Sequence, residues 1–236
     1  MFFNNCVFNA NQLVSAENSG TCIYIKGGIL GLNNCSVYGN ISAGNIASDA
    51  DFNFSSSTAN TGIIVMNTTV VKSEGYASCV SFRIPTAFSS ENHNIQLLNN
   101  VVLNHNATGG SGASAAAIKS LGYNFMTSGN STFDTNVQST DQTFAKSQVA
   151  TLLSDTFTFE DYYYKWNGVK TKDYVSPSAL KTAVSDLTIG SVSFGSDFIA
   201  WLEGLSVRGG KNALLYDIAG NTRSTTALWS GCYEKQ

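Results

Sequence analysis

Three cations stand at one position in three β-like segments, and they are the best candidates for chemistry. The segments are Cys22–Lys26, Cys79–Ile84 and Ala116–Lys119. Apolar residues alternate with polar ones in each, so we expect Lys26, Arg83 and Lys119 on one outer strand face. Such a face can bind an anionic glycan. Two alternatives stay open: a base that removes a proton beside a sugar carboxylate, with calcium neutralising that carboxylate, and a face that is only solvated.

Acidic residues decide between binding and cleavage at this face. A metal-assisted base needs carboxylates nearby to hold the metal. Acidic residues are sparse in residues 1–126, and none recurs in register with the cations. The pattern therefore favours glycan binding over cleavage.

An aromatic stretch provides a second candidate ligand site. Tyr162, Tyr164 and Trp166 lie close together and precede Lys170 and Lys172. Flat rings can stack on the apolar faces of sugars. The alternative is that these rings cover a hydrophobic core as a cap.

The sequence contains only an incomplete calcium-loop pattern. Asp49–Asn53 resembles the start of an EF-hand loop, but Phe54 replaces the required Gly and Asn60 replaces the required Glu. We predict no metal cofactor, with an irregular calcium site in this loop as the alternative. His93 and His105 lack triad-like partners and are expected in polar surface loops.

A recurring hexapeptide must position these residues. Its copies are Phe3–Phe8, Leu32–Val37, Met66–Val71 and Leu98–Leu103. Their first residues are 29, 34 and 32 positions apart. A period near 30 residues predicts a repeat architecture, and the content of Val, Ile, Phe, Thr and Asn favours strands over helices.

Stacked coils would bury the apolar face of every copy, with parallel strands about 4.8 Å apart. Equivalent residues would then form columns: Asn4, Asn33, Asn67 and Asn99 in one, and Asn5, Asn34 and Asn100 in the next. Asn tolerates left-handed backbone geometry and forms amide ladders, which suits a corner between strands. Cys6 and Cys35 also share a repeat position, as stacked small residues or as an inter-coil disulfide.

This organisation resembles the right-handed parallel β-helix proteins of the pectin-lyase-like group. The resemblance implies an all-β solenoid, formed by residues 1–126. Residues 127–236 would form a partly helical, aromatic-rich C-terminal cap continuous with it. Within that cap, Ser176 and Pro177 predict the start of one short helix, and Ser196 or Asp197 the start of another.

The C-terminus carries a more specific resemblance. Asp217–Arg223 matches D-x-x-G-x-x-R, and Gly231–Glu234 matches a terminal G-x-Y-E. This ending is similar to that of bacterial surface and secreted β-helix proteins with a choice-of-anchor Q domain, which have Ala where Cys232 stands. The resemblance implies export, with no assigned chemistry. The residues themselves predict a structural role, with a turn at Gly220 and an ion pair between Asp217 and Arg223.

Composition limits the partners. The net charge is −3 and charged residues make up 12% of the chain, with no basic run, so we predict no nucleic-acid partner. No apolar run is long enough to predict a membrane span. Because a repeat copy begins at Phe3, we expect an open N-terminal edge. Such an edge would be explained by the loss of an export signal, a cap or earlier coils, or by a partner chain that covers it.

These observations lead to three functional hypotheses. The first is an exported, secreted or cell-surface, non-enzymatic β-helix protein that binds carbohydrate or acts in adhesion. The second is a polysaccharide lyase or glycoside hydrolase of the pectin-lyase-like group. The third is a structural stalk without a ligand.

Overall fold

The structure is a computed structural model. It describes residues 1–13, 20–42, 50–54, 61–71, 74–75, 80–83, 95–103, 118–127, 138–144, 175–189, 192–205, 213–226, 228 and 230–233. Within these ranges the chain is mostly β-structure with two α-helices. Four of the five sheets are parallel, which confirms the expected all-β class.

The first sheet has five parallel strands in the order in which they follow along the chain. They are β1 (Phe2–Asn4), β5 (Ile29–Asn33), β9 (Gly62–Met66), β13 (Ile95–Leu98) and β15 (Ile118–Ser120). The strands β1, β5, β9 and β13 lead into the four repeat copies in turn, with Asn4 paired with Asn33 for example, and β15 follows the last copy.

The second sheet follows the first through a short corner and has six parallel strands. They are β2 (Val7–Asn9), β6 (Ser36–Tyr38), β10 (Thr69–Val71), β14 (Val101–Leu103), β16 (Phe125–Thr127) and β17 (Gln142–Phe144). Because β17 pairs with β16, this sheet extends beyond residue 126, where the repeat was expected to end.

Two three-stranded parallel sheets complete the arrangement. One contains β3 (Gln12–Leu13), β7 (Ile41–Ser42) and β11 (Glu74–Gly75). The other, named here the outer sheet, contains β4 (Gly20–Ile25), β8 (Ala50–Phe54) and β12 (Val80–Arg83). The strands β1 to β4 each lie at an edge of their sheet.

Residues of the first, second and outer sheets form one hydrophobic cluster, named here the core. In the first sheet, Leu30, Leu32, Ile63 and Val65 are fully buried in it, and Phe52 reaches it from the outer sheet. Alternate residues of the same strands point the other way. This arrangement explains why Ile63–Met66 is a continuous apolar run, since both faces of the first sheet are covered.

Two helices cover the second face of the first sheet. Helix α1 (Pro177–Ser185) begins as predicted, with the Ser176 hydroxyl accepting from the amide of Ala179 (3.1 Å). Helix α2 (Gly195–Gly204) follows an antiparallel pair, β18 (Thr188–Ile189) and β19 (Val192–Ser193). These elements pack on Ile64, Met66 and Leu98, so the described part of the expected cap covers a side of the strands.

The contact between helix and sheet is closest at Gly31. A Cβ atom there would lie 2.7 Å from the ring of Phe198 in α2 and 2.7 Å from the ring of Phe2. The two rings are themselves 4.8 Å apart between centroids. A glycine is therefore required between the buried Leu30 and Leu32.

Candidate functional site

The corner between the first two sheets carries the densest set of polar side chains. We name Asn5, Asn34, Asn67 and Asn99 the asparagine corner. Their φ angles are 55°, 53°, 48° and 56°, which is the left-handed region that Asn tolerates better than most residues. This geometry turns the chain from one sheet into the next at the same place in each repeat.

Side-chain amides form a ladder through this corner. Asn33 donates from Nδ2 to Oδ1 of Asn4 (2.7 Å), Asn67 donates to Asn33 (2.9 Å), and Asn99 donates to Asn67 (2.8 Å). The predicted column of these four residues is confirmed as a chain of hydrogen bonds. The strand register differs from the predicted one by one residue at the third copy, where Asn33 pairs with Met66 and not with Asn67.

A second column runs beside the ladder on the core side. It consists of Cys6, Cys35, Thr68, Asn100, Asn124 and Asp141. From Thr68 onwards, each side chain accepts from the backbone amide of the preceding member: 3.2 Å at Thr68, 2.9 Å at Asn100, 3.0 Å at Asn124 and 2.8 Å at Asp141. The column satisfies amides that the corner leaves outside the strand ladders.

The carboxylate of Asp141 ends this column. It accepts from Ser120 Oγ at 2.5 Å and from the amide of Gln138 at 2.8 Å, in addition to Asn124. The residue is only 7% exposed. Its acceptor capacity is directed at the protein backbone and side chains, which indicates a structural carboxylate.

The three predicted cations do not share one strand position. Arg83 pairs with Asn53, and Asn53 pairs with Tyr24, so Tyr24 and not Lys26 is in register with Arg83. Lys119 lies in β15 of the first sheet, where it pairs with Gln96. The alternating pattern of Ile118 and Lys119 resembles that of the outer strands, but alternation is common to every strand and does not identify a sheet.

The outer sheet instead contains a row of three register positions, Tyr24, Asn53 and Arg83. We name it the Tyr24 row. Tyr24 is 47% exposed and Lys26, two positions later, is exposed as well. Sequence reasoning did not identify the middle strand β8, although the alternation of Phe52 and Phe54 was the available signal.

The calcium-like segment is part of this strand. Ala50–Phe54 forms β8, and Phe52 is fully buried in the core. In the described ranges of the chain, no group of three or more His, Cys, Asp or Glu side chains could hold a metal ion. The aromatic candidates Tyr162, Tyr164 and Trp166 lie outside the described residues, as do His93 and His105.

The C-terminal motif residues bind the asparagine corner. Arg223, only 2% exposed, donates from Nη2 to Oδ1 of Asn34 and to the carbonyl of Gly231 (3.1 Å). Asn34 in turn donates to the carbonyl of Tyr216. The Asp217 carboxylate accepts from the amide of Asn221 (2.7 Å). The expected pair between Asp217 and Arg223 stays a prediction.

The last described residues extend this contact along the corner. Gly231 donates to the carbonyl of Asn99 (2.8 Å), and Cys232 donates to Oγ1 of Thr69 (3.1 Å). Ser230 donates to the carbonyl of Tyr123 (2.8 Å). The motif therefore acts as a clasp across several repeats, which is the structural role that its residues predicted.

The cysteines differ in environment. Cys6 and Cys35 lie at equivalent positions of adjacent repeats, as predicted. A hydrogen bond from Cys35 lowers the pKa of Cys6 to about 7, whereas burial raises the pKa of Cys35 well above its usual value. Burial also raises the pKa of Cys232 to about 12. Cys79 lies outside the described residues.

Neither described helix has the length and apolar character needed to cross a membrane. A comparison of the chain with protein-family models, curated proteins and solved structures finds no match.

Proposed function

We propose that this chain is an exported, non-enzymatic protein with a right-handed parallel β-helix fold that binds carbohydrate, in adhesion or surface attachment, through the Tyr24 row. The single observation that carries the binding proposal is the register of Tyr24, Asn53 and Arg83 in three adjacent strands.

The solenoid part of the proposal is supported by strand order. Neighbouring strands belong to successive repeat copies from β1 to β13 in the first sheet and from β2 to β14 in the second. Asn33 and Asn67, which share a hydrogen bond, are 34 positions apart, and Asn67 and Asn99 are 32 apart. A chain that returns to the same sheet after each period, always in parallel, is what a β-solenoid requires. The motif at Asp217–Arg223 supports export through its resemblance to secreted and surface β-helix proteins.

The binding part is supported by the chemistry of the Tyr24 row. An exposed tyrosine ring offers a flat face for a sugar ring, and its hydroxyl is a donor and acceptor. Asn53 and Arg83 occupy the neighbouring register positions, and Lys26 adds an exposed positive charge two residues after Tyr24. Such a row suits a glycan that carries acidic groups, alone or beside neutral sugars. A second sugar-binding platform is proposed at Tyr162, Tyr164 and Trp166.

The test is a glycan array followed by calorimetric titration of the hits, with wild type, Tyr24→Ala and Arg83→Gln. We expect Tyr24→Ala to weaken binding at least about fivefold, since a stacked ring contributes about 1 kcal/mol beyond its buried area. Arg83→Gln should weaken binding of acidic glycans more than neutral ones and reduce the dependence of binding on salt.

Lys119→Gln is the matched control, because Lys119 is an exposed cation in a different sheet. Equal loss in Lys119→Gln and Arg83→Gln would reject the Tyr24 row as the site. The same titrations are followed by ultraviolet absorbance, since a lyase releases unsaturated sugars. Product formation would replace the non-enzymatic proposal by the lyase alternative, and absence of binding to any glycan would favour a stalk.

A further inference from the structure

Cys6 and Cys35 lie next to each other in the second column. Val7 and Ser36, which follow them, are in register, and the amide of Ser36 donates to the carbonyl of Cys6 (2.9 Å). Neighbouring strands lie about 4.8 Å apart. A disulfide needs Cα atoms about 4.4–6.8 Å apart, so the backbone separation is compatible with one.

The two side chains lie at neighbouring register positions of the column. Cys6 Sγ lies 3.4 Å from the carbonyl oxygen of Asn4, and Cys35 Sγ lies 3.7 Å from that of Phe3. Cys35 Sγ also lies 3.3 Å from the carbonyl oxygen of Asn33, so each sulfur atom lies beside the carbonyl two residues before it, in adjacent strands.

The environments of the two thiols are unequal. Cys35 is fully buried in the core, whereas Cys6, between β1 and β2, is half-buried. The hydrogen bond from Cys35 lowers the pKa of Cys6 to about 7. Cys6 is therefore the accessible member with thiolate character, and Cys35 is the neighbouring thiol that can resolve an adduct on it.

We propose that Cys6 and Cys35 form a reversible disulfide by exchange with a low-molecular-weight disulfide such as oxidised glutathione. The Cys6 thiolate attacks one sulfur of the reagent, whose S–S bond breaks and releases one thiolate. Cys35 then loses its proton, attacks the Cys6 sulfur and expels the second thiolate. The two protein thiols are oxidised, the reagent is reduced to two thiols, and these take up the two protons.

This disulfide would join the first set of strands, β1 to β4, covalently to the next set, β5 to β8. The strands β1 to β4 lie at an edge of each of the four parallel sheets, and Val7 among them is 56% exposed. Oxidation therefore ties these edge strands to their neighbours. The inference concerns the cysteines alone and is independent of carbohydrate binding.

The test treats the reduced full-length chain with oxidised glutathione at about pH 7.5, where a thiol of lowered pKa reacts fastest. Remaining thiols are alkylated, and the chain is digested without reduction for peptide mapping. We expect a linked pair of peptides containing Cys6 and Cys35, with loss of two titratable thiols. A dithiol reductant should reverse both changes.

Three variants make the result specific. Cys6→Ser should abolish the linkage, and Cys35→Ser should leave glutathione on Cys6. A chain with Cys22→Ser and Cys79→Ser should form the bond as wild type does. A linkage of Cys6 to any other cysteine, a persistent glutathione adduct in wild type, or no reaction at Cys6 would overturn the proposal. Cys6→Ser is expected to fold, because Cys6 is only half-buried. It therefore still gives a valid comparison if Cys35→Ser fails to fold.

Discussion

Arg223 donates a hydrogen bond to Asn34 across 189 positions of the chain. Asn34 belongs to the asparagine corner, and its own amide donates to Tyr216, so the C-terminal segment and the corner satisfy each other. Three of the four corner residues, Asn34, Asn67 and Asn99, are fully buried, and so is Asn33 in the neighbouring ladder. Removing a member should therefore leave buried polar groups with too few partners, which is costly.

The first prediction concerns Arg223 itself. Arg223→Met preserves much of the side-chain length but removes the donors to Asn34 and Gly231. We expect a loss of about 3 kcal/mol in the free energy of unfolding, since hydrogen bonds to charged groups contribute about 1.5–3 kcal/mol each. Urea unfolding followed by circular dichroism measures this loss.

The surface ion pair between Lys181 and Glu203 provides the contrast. Its N–O distance is short, 2.6 Å, but the side chains are 49% and 37% exposed. Lys181→Met should therefore change stability by less than about 1 kcal/mol, because solvent screens exposed pairs. Similar losses in Lys181→Met and Arg223→Met would show that the clasp adds little to stability.

A second prediction separates backbone strain from steric contact in the C-terminal motif. Gly231 has a φ of +88°, and a Cβ atom there would lie 2.5 Å from Oγ1 of Thr69 and 3.0 Å from Cγ2 of Val101. Gly220 has nearly the same φ, +87°, with nothing within 4 Å. Gly220→Ala should cost about 1 kcal/mol through strain alone, and Gly231→Ala clearly more.

Thermal or urea unfolding of the two glycine variants gives the comparison. Equal destabilisation would mean that Gly231 is required only for its backbone conformation and that the clasp does not approach Thr69 closely. A larger effect at Gly231 also explains why the terminal motif begins with glycine.

The sequence predicted the period and the asparagine ladder because both depend on local, repeated chemistry. It placed the register one residue off, since Met66 stands where the first two copies have Asn4 and Asn33. Alternation alone could not assign Lys119 to its sheet. The contact from Arg223 to Asn34 has no spacing signal at all, because the clasp crosses most of the chain.

The third prediction concerns the ladder at Asn67. Asn67→Gly keeps the left-handed corner but removes the hydrogen bonds to Asn33 and from Asn99, so we expect a cost of about 2 kcal/mol. Asn67→Ala removes the same bonds and adds the left-handed penalty of about 1 kcal/mol. Urea unfolding should rank wild type above the Gly variant and the Gly variant above Ala. The reverse order of the two variants would contradict the role of backbone geometry at this corner.

The last prediction is a loss of stability at alkaline pH that depends on Cys232. Burial raises the pKa of this thiol to about 12 in the folded chain, against about 8.5 for an unfolded cysteine. Between these values the unfolded chain has lost the proton and the folded chain retains it, so rising pH favours unfolding. The contribution of Cys232 is complete below about pH 8.5 and is lost as pH approaches 12, at about 1.4 kcal/mol per pH unit.

Cys232→Ala provides the test, because Ala is small, apolar and without a proton to lose. Unfolding free energies of wild type and variant are compared from about pH 7 to pH 11, within which the thiol difference develops. Tyrosines and lysines titrate in both proteins, so the decisive quantity is the difference in slope. We expect wild type to lose stability more steeply than Cys232→Ala above about pH 9. Parallel curves for wild type and Cys232→Ala would show that the thiol is not held protonated by burial against Thr69.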